Sequence, residues 1–366
     1  MVEHFRQGGQ PSGASLETGW ARTALANLYF HSRMPALTRR FRDRYHLNIS
    51  HTGRWPRVSF EKRAEPSARI LYYHRVNDDN DPFFPAISTK LFDEEMRFVS
   101  RHYRVVSLAK MLDVLAGGST EPVVAITFDD GYQDNYHNAF PILQRYGLPA
   151  TIFLTTGSLD SREPLWFEQL AEALQKTDRE WIDLDVDGHQ RFGVRTPEER
   201  LDTNGKIYDI LRRLPDQERR RWLSQILGNL GGPDGTQRRD QMLTWDQVRL
   251  MKAQGIDFGG HSVTHPFISR LPREQVEWEV TECKRRIEQE LQLPVDLFAY
   301  PSGREEDFGK WNKEVVRSAG YRAAVTTLWG VNYPSTDPME LRRGGPWEET
   351  PAQFAYKLDW YQLVNG

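Results

Sequence analysis

The stretch Val123-Val124-Ala125-Ile126-Thr127-Phe128-Asp129-Asp130-Gly131-Tyr132 decides how this chain is interpreted. Its first four residues are apolar, which is typical of a buried strand in a parallel sheet. Two adjacent carboxylates follow, and they share a dry site only if a positive charge stands beside them. A metal ion bound by one aspartate would supply that charge and leave the other aspartate free for proton transfer. For Asp-Asp-Gly taken alone, the alternative is an Asx turn that closes a strand.

Composition limits the kinds of protein and site that the chain can form. Its 366 residues, 39% of them apolar, are enough for one large domain or two ordinary ones. The formal net charge of -3 gives no reason to expect nucleic acid as a partner. Because Cys283 is the one cysteine, an internal disulfide is excluded, and a metal site has to use histidine and carboxylate ligands.

Residues 1–66 are interpreted as an N-terminal extension, with a short helix predicted at Leu16–Phe30. The arginine-rich segment Arg33–Tyr45 could contact an anionic membrane surface, and a solvated helix face is the alternative. We find no secretory signal in Met1–Ser15 and no apolar stretch long enough to cross a membrane. We therefore expect a cytoplasmic protein, or one that lies peripherally at the inner membrane face.

Residues 67–366 are expected to form the main domain, because strands alternate with helices in a pattern that indicates parallel βαβ units and an α/β fold. The predicted strands are Ile70–Tyr73, Tyr103–Val106, Val123–Ile126, Ala150–Thr155, Ile256–Gly260, Val295–Tyr300 and Tyr321–Thr327. The predicted helices are Lys90–Arg101, Ser107–Leu115, Asn135–Tyr146, Thr244–Gln254, a long helix after Pro272, Phe308–Ala319 and Pro351–Leu363.

Residues 160–240 interrupt this alternation and are interpreted as a helical insertion on the rim of the domain. We predict helices at Leu165–Leu174, Pro197–Leu214 and Asp216–Leu230, and a small hairpin between Trp181 and Phe192 that turns at Asp187-Gly188. The run Arg219-Arg220-Arg221 makes this segment too charged to be core.

Four predicted strands are each followed by residues that can do chemistry: His74, Asp129-Asp130, His261 and Tyr300-Pro301. In a barrel of parallel strands these positions share one face, where active sites are built. Packing does not explain polar residues at the ends of four separate strands. We therefore expect these side chains to meet in one site.

The pair His261 and His265 is spaced to bind one ion. Pro266 disfavours helical dihedral angles at His265, so a loop or tight turn is expected there. Two histidines and one aspartate leave open positions on a divalent ion, which is typical of a catalytic metal site.

Two motifs, Thr127–Gly131 and His261–His265, resemble the first two motifs of the polysaccharide deacetylases, also called NodB-homology or carbohydrate esterase family 4 enzymes. The resemblance covers about residues 68–345 and implies a distorted (β/α) barrel of about seven parallel strands. It also implies that Asp129 is the general base, and that Asp130, His261 and His265 bind a divalent metal. Zn2+ is the first expectation for that metal, with Co2+, Ni2+ or Mn2+ as alternatives.

The third motif departs from the family pattern. The family has a sequence like Arg-Pro-Pro-Tyr-Gly, whereas this chain has Ala299-Tyr300-Pro301-Ser302-Gly303. Since Ala299 stands where the family has an Arg that steadies the base, another cation must do so. Arg343 is our candidate, with a surface salt bridge as the alternative. The Ser302 N–H matches the position that donates to the oxyanion, and a main-chain donor survives a side-chain change. In addition to Arg343, the residues expected to bind the substrate or the oxyanion are Tyr132, Tyr300, Pro301 and Ser302.

The general acid also departs from the family pattern, because no histidine follows His265 and the late Leu-x-His motif is missing. The segment Leu71-Tyr72-Tyr73-His74 resembles the early Tyr-His motif of the poly-N-acetylglucosamine deacetylase branch, where the histidine is the acid. His74 is therefore expected to be the general acid, and a packing role is the alternative.

The resemblance implies a metal-dependent hydrolase that removes N-acetyl, or alternatively O-acetyl, groups from a glycan or a glycolipid-linked sugar. Asp129 would take a proton from water and His74 would protonate the leaving amine, which predicts a bell-shaped pH–rate profile. Two other classes remain open: a non-catalytic glycan-binding or assembly protein on the same fold, and a divalent-metal phosphohydrolase, which usually needs more acidic ligands. Candidate platforms for sugar rings, with packing as the alternative, are Tyr132, Trp245, Trp329 and Trp347.

Overall fold

The computed structural model describes residues 26–30, 45–50, 57–62, 66–117, 121–161, 163–186, 188–231, 241–345 and 350–364. Its strands are β1 (Tyr45–Ser50), β2 (Arg57–Lys62), β3 (Ala68–Tyr73), β4 (Arg104–Val105), β5 (Val123–Phe128), β6 (Thr151–Leu154), β7 (Trp181–Leu184), β8 (Gln190–Gly193), β9 (Asp257–Gly260), β10 (Leu297–Ala299) and β11 (Ala323–Val325). Its helices are α1 (Thr89–His102), α2 (Leu108–Ala116), α3 (Phe140–Tyr146), α4 (Thr156–Ser161), α5 (Trp166–Lys176), α6 (Pro197–Arg213), α7 (Asp216–Asn229), α8 (Trp245–Ala253), α9 (Arg273–Leu291), α10 (Lys310–Ser318) and α11 (Pro351–Val364).

The centre of the fold is one curved sheet of seven parallel strands. Six of the strands run in the order β11-β10-β9-β6-β5-β3. The seventh, β4, pairs with Val123 and Val124 at the start of β5, whereas β6 pairs with Thr127 and Phe128 at its end. All six residues of β3 and of β5 are buried, as expected for strands with both faces covered. The predicted fold class, a distorted α/β barrel of about seven parallel strands, is confirmed.

A short segment, Leu341–Gly344, lies between the two edge strands of this sheet. Leu341 forms a parallel bridge with Val325 of β11, and Gly344 forms a parallel bridge with Leu71 of β3. Hydrogen bonds from Leu341 N to Ala324 O (2.9 Å) and from Gly344 N to Ile70 O (2.7 Å) hold it there. The segment therefore connects β11 to β3 and closes the sheet into a ring.

Helices form the outer layer of the domain, and their caps explain where they begin. The Ser88 hydroxyl accepts a hydrogen bond from Leu91 N at the start of α1, and Thr244 caps α8 in the same way. Most predicted helices agree with the structure to within one or two residues at each end, but two features differ more. The helix expected at Asn135–Tyr146 begins with a π-helical turn, Asn135–Ala139, before α3. Helix α4 was not predicted at all.

The insertion has a hydrophobic cluster of its own, built from α5, the antiparallel β7–β8 pair, α6 and α7. Phe83, Phe84 and Phe267 of the main domain pack into the same cluster. Asp187, the predicted first residue of the hairpin turn, lies outside the described residues. The expectation that the arginine run is too charged for the interior is wrong for Arg219, which is 2% exposed. Its guanidinium pairs with Asp216, one turn earlier, and stacks on Trp166.

The N-terminal region is described only in part. β1 and β2 form an antiparallel pair that the sequence analysis did not predict. Most of the arginine-rich segment proposed to contact a membrane lies outside the described residues. Among the residues that are described, none of the helices combines the length and the apolar character needed to cross a membrane.

Candidate active site

Strand ends bring four of the expected residues together at one mouth of the ring. His74 follows β3, Asp129 and Asp130 follow β5, and His261 follows β9. Both aspartates are 2% exposed, and His261 is 1% exposed, so the site is formed in the interior rather than on a surface.

Asp130, His261 and His265 form a cluster whose ligand atoms all lie within 4.8 Å of one another. Asp130 Oδ1 is 3.5 Å from His261 Nε2 and 3.3 Å from His265 Nε2. This oxygen is buried and accepts no well-formed hydrogen bond from the described residues. Two imidazoles and one carboxylate are a donor set that zinc and similar ions accept. An unsatisfied carboxylate oxygen facing two ring nitrogens fits a divalent ion.

The protonation states of these side chains also suit ion binding. Burial lowers the pKa of His261 to about 4, so its ring is neutral at pH 7 and can ligate through Nε2. His261 Nδ1 lies 2.8 Å from Ala299 O, which orients the ring. Burial raises the pKa of Asp130, but the neighbouring histidines, His265 first, outweigh it and keep that pKa below its usual range.

The loop between the two histidines has unusual backbone angles. Ser262 (φ 65°) and His265 (φ 54°) are left-handed, as is Asp130 (φ 72°) on the facing loop. Non-glycine residues in this region are strained and often mark functional sites. His265 N donates to Ser262 Oγ at 3.1 Å. His265 lies outside any helix, as Pro266 predicts.

Glu279 of α9 holds the same loop from behind. Its Oε2 accepts hydrogen bonds from Val263 N (2.7 Å) and Thr264 N (2.9 Å), and its Oε1 accepts one from Thr264 Oγ1. The side chain is fully buried, and burial raises its pKa. The sequence analysis missed this residue. The available signal was an acid on the helix face that carries Val276 and Val280.

Asp129 is paired with a different group, Arg343 of the closing segment. Arg343 Nη1 donates to Asp129 Oδ1 at 2.8 Å, and Nη2 donates to Oδ2 at 2.7 Å. The guanidinium is fully buried, and its Nε donates to Thr326 O at 2.7 Å. Burial alone would raise the pKa of Asp129, but Arg343, followed by His261 and His74, lowers it below its usual range. The carboxylate is therefore ionised at neutral pH.

His74 lies on the open side of Asp129. Its Nε2 is 4.0 Å from Asp129 Oδ2, and its side chain is 21% exposed. Asn135 Nδ2, in the π-helical turn, donates to His74 O at 2.8 Å. The next residue, Arg75, pairs with Glu168 of the insertion, which also holds the chain beside His74.

The expected oxyanion donor lies in a tight turn. Ser302 (φ 61°) and Gly303 (φ 64°) are both left-handed, and Gly303 N donates to Pro301 O at 2.7 Å. Thr327 Oγ1 donates to Ser302 O at 2.9 Å. The N–H of Ser302 has no hydrogen-bond acceptor among the described residues, so it can serve an incoming oxygen.

The aromatic candidates are placed differently. Tyr300 is fully buried, and its hydroxyl donates to Met339 O at 2.9 Å. Tyr132 is 3% exposed, and the Arg75 guanidinium covers its ring at 3.9 Å. Neither ring offers an open face to a sugar. Cations also cover the rings of Trp245 (Arg286) and Trp329 (Lys357), and Trp347 lies outside the described residues.

Comparisons with known proteins identify the family. The family model for polysaccharide deacetylase matches residues 116–324, more than half of the chain. The chain belongs to the polysaccharide deacetylase family. This family places the chain among hydrolases, in agreement with the resemblance of its motifs.

Two curated relatives illustrate what the chain is similar to at the sequence level. The putative polysaccharide deacetylase YxkH of Bacillus subtilis is 34% identical over 127 residues, which cover 34% of this chain and 43% of that protein. The poly-beta-1,6-N-acetyl-D-glucosamine N-deacetylase of Escherichia coli K12 is 32% identical over 127 residues, 34% of this chain and 16% of that protein. The matched region thus spans less than half the length of either relative.

Two solved structures share the fold. The Streptococcus pyogenes deacetylase PplD in complex with acetate superposes with a TM-score of 0.55 at 18% identity, over 82% of this chain and 100% of that chain. IcaB from Ammonifex degensii superposes with a TM-score of 0.51 at 21% identity, over 81% and 97%. At these identities the likeness establishes the fold alone.

Proposed function

We propose that this polysaccharide deacetylase is a metal-dependent enzyme that removes N-acetyl groups from a glycan. One observation carries the proposal: two adjacent buried aspartates have different partners. Asp129 is paired with Arg343, whereas Asp130 faces His261 and His265. A general base and a metal ligand therefore stand side by side.

The roles of the residues follow from their positions. Asp130, His261 and His265 would hold the ion, which would polarise the acetyl carbonyl and acidify a water. Asp129, kept ionised by Arg343, accepts the proton of that water. The N–H of Ser302 donates to the oxygen that becomes negative as the carbonyl is attacked.

Departure of the amine needs an acid, and His74 is the residue assigned to it. Its ring nitrogen lies 4.0 Å from Asp129 and its side chain reaches solvent, so it can contact both the base and a bound substrate. Relatives named poly-beta-1,6-N-acetyl-D-glucosamine N-deacetylase support an N-acetylated glycan as substrate. The PplD structure is a complex with acetate, which is consistent with release of an acetyl group as product.

An amine-release assay tests the proposal. The protein is loaded with Zn2+, Co2+, Ni2+ or Mn2+, incubated with an N-acetylglucosamine tetramer, and assayed for free amines by mass spectrometry. We expect release that a chelator abolishes. The matched control is Asp129→Asn, which keeps the three metal-binding side chains. Release that survives this change would overturn the mechanism. No release from several acetylated glycans with any metal would favour a glycan-binding protein instead.

A further inference from the structure

The first turn of helix α5, which belongs to the insertion, contacts one of the proposed metal ligands directly. Trp166 Nε1 donates a hydrogen bond to the main-chain oxygen of His265 at 3.0 Å. The ring of the next residue, Phe167, meets the His265 imidazole edge to face, with 5.3 Å between the ring centroids. The proposed reaction assigns no role to Trp166 or to Phe167.

The main chain of His265 is held in a conformation that needs support. Its φ of 54° is left-handed, and a non-glycine residue keeps such an angle only where its surroundings impose it. The N–H of His265 donates to Ser262 Oγ, and its carbonyl accepts from Trp166, so both main-chain polar groups of this residue are fixed. Because the Trp166 bond comes from outside the loop, it ties the backbone of the ligand to the insertion.

Helices α6 and α7 hold the indole of Trp166 in place. The Tyr208 ring of α6 stacks on it, with 5.4 Å between the centroids and 5° between the planes. The Arg219 guanidinium of α7 lies over it at 4.6 Å, and Asp216 neutralises that charge. Three helices of the insertion, α5, α6 and α7, thus meet at the residue that contacts His265.

A buried ion pair fixes the start of α5 against the main domain. Glu168, which is 1% exposed, accepts a hydrogen bond from Arg75, the residue that follows His74. Its second oxygen accepts from Leu165 N at 3.0 Å, at the beginning of the helix. Separating a buried pair leaves an uncompensated charge, which is strongly unfavourable. The contacts with His265 therefore come from an element that is itself anchored.

We propose that the insertion positions the metal ligand His265 through Trp166 and Phe167, and that these contacts set part of the affinity of the site for its ion. The inference rests on the proposed function, since it takes Asp130, His261 and His265 as the ligands. Ordinary packing is the alternative, because a buried indole N–H needs an acceptor wherever it lies. Two features favour positioning. The acceptor is the carbonyl of a ligand with a strained backbone, and the next side chain contacts the ring of the same ligand.

Removing the indole N–H tests the inference through metal affinity. Trp166→Phe keeps an aromatic ring in the insertion but cannot donate to His265 O. The full chain is stripped of metal with a chelator, and the Kd of Zn2+ is measured by competition with a zinc-sensitive dye. We expect this Kd to rise about tenfold, the lower end of the range for changes behind metal ligands. The visible spectrum of bound Co2+ should also change, since it reports the arrangement of the ligands.

Two controls separate the hydrogen bond from other consequences of the substitution. Trp245→Phe removes an indole N–H that donates to Asp160 Oδ1 at 2.7 Å on the surface, and it should leave the Kd of Zn2+ unchanged. Leu211→Ala loosens the hydrophobic cluster of the insertion at a fully buried position but keeps both side chains that contact His265. It should change neither the Kd nor the Co2+ spectrum. A rise in Kd as large as that of Trp166→Phe would show general loosening and overturn the inference.

Phe167→Ala provides a second variant in case Trp166→Phe does not fold. Phe167 is only partly buried, so its truncation disturbs the packing less. Loss of its contact with the His265 ring should raise the Kd of Zn2+ severalfold. The inference is overturned if Trp166→Phe binds Zn2+ like the wild type, or if Trp166→Phe does not fold and Phe167→Ala binds Zn2+ like the wild type.

Metal binding needs no turnover, so failure of this inference can be distinguished from failure of the proposed function. A raised Kd in Trp166→Phe, without amine release from any acetylated glycan, refutes the proposed function alone. Amine release that a chelator abolishes, together with an unchanged Kd in Trp166→Phe, refutes the inference alone. Wild-type protein that binds none of Zn2+, Co2+, Ni2+ and Mn2+ would overturn both.

Discussion

Asp129 and Asp130 are neighbours in the chain and equally buried, but the fold compensates their charges in different ways. Both oxygens of Asp129 accept hydrogen bonds from Arg343, so the protein itself balances this carboxylate. Oδ1 of Asp130 has two ring nitrogens near it and no well-formed hydrogen bond from the described residues. A buried charge without such compensation is costly. The difference teaches that one side of the site is complete as the chain folds, whereas the other has room in its hydrogen bonding for the ion proposed above.

The largest expected effect comes from exchanging each carboxylate for an amide. Asp129→Asn should lower kcat by about 10²–10⁴, the range that general-base catalysis contributes, while metal content stays at the wild-type level. Asp130→Asn should lose the metal as well as the activity. Metal analysis after dialysis, combined with kcat on the N-acetylglucosamine tetramer, separates the two variants. Equal metal loss in both would remove the distinction between the aspartates.

Removing Arg343 from its ion pair with Asp129 should lower the free energy of unfolding. Arg343→Met leaves the Asp129 carboxylate buried without its partner, and losing one member of a buried ion pair costs about 3–5 kcal/mol. Denaturant unfolding at pH 7 measures this. The control is Arg322→Met, whose partly exposed pairs with Asp113 and Asp296 should contribute less than about 1 kcal/mol. Similar losses in both variants would contradict the buried pairing.

Arg343→Met should also change how activity depends on pH. Because Arg343 depresses the pKa of Asp129, the pair stabilises the fold above the unfolded-state pKa of Asp, about 3.9, and this stabilisation is lost as pH falls through the lower folded-state value. In Arg343→Met, Asp129 should be protonated at a higher pH. The acid limb of the kcat/KM profile should therefore move upward, and an unchanged limb would show that another group titrates there.

Substitution of His74 should have a smaller effect on kcat, and its effect on the pH profile should be confined to the alkaline side. His74→Ala should lower kcat by about 10²-fold and remove the alkaline limb, since a general acid has to be protonated for turnover. His189→Ala, at an exposed histidine of the insertion, serves as the control. An alkaline limb that persists in His74→Ala would assign the acid to another group.

The smallest effect in this series is expected at Glu279, which holds the loop between His261 and His265. Glu279→Gln places an amide where a carboxylate accepts three hydrogen bonds, and changes behind metal ligands typically cost about 10–100-fold in affinity. Competition with a zinc-sensitive dye measures this Kd. Glu277→Gln, at an exposed position of α9, is the matched control. Unchanged affinity in Glu279→Gln would show that the loop keeps its shape without this residue.

Strand ends made much of the site predictable from the sequence. Apolar runs that finish on His74, Asp129 and His261 are local signals, and parallel strands bring such ends to one face. Contacts across long sequence separations were harder to infer. Arg343 pairs with Asp129 across 214 residues, and the sequence suggested it only because the family arginine is missing at Ala299.

Buried ionic groups were the part that patterns failed to show. Glu279 lies on an apolar helix face, where a periodicity analysis assigns polar residues to solvent. Arg219 was expected outside because it belongs to an arginine run, but Asp216 one turn earlier neutralises it inside the insertion. In both cases the partner, rather than the residue type, decides the placement.

The closing segment Leu341–Gly344 has a consequence for the order in which the enzyme matures. The strand that carries Asp129 is synthesised long before Arg343, and the entropy of closing so long a loop has to be overcome before the contact can form. Until the segment docks on β3, the carboxylate has no guanidinium beside it. In the proposed mechanism, proton abstraction by Asp129 therefore becomes available only when the ring is shut, and activity would report completion of the C-terminal part of the fold.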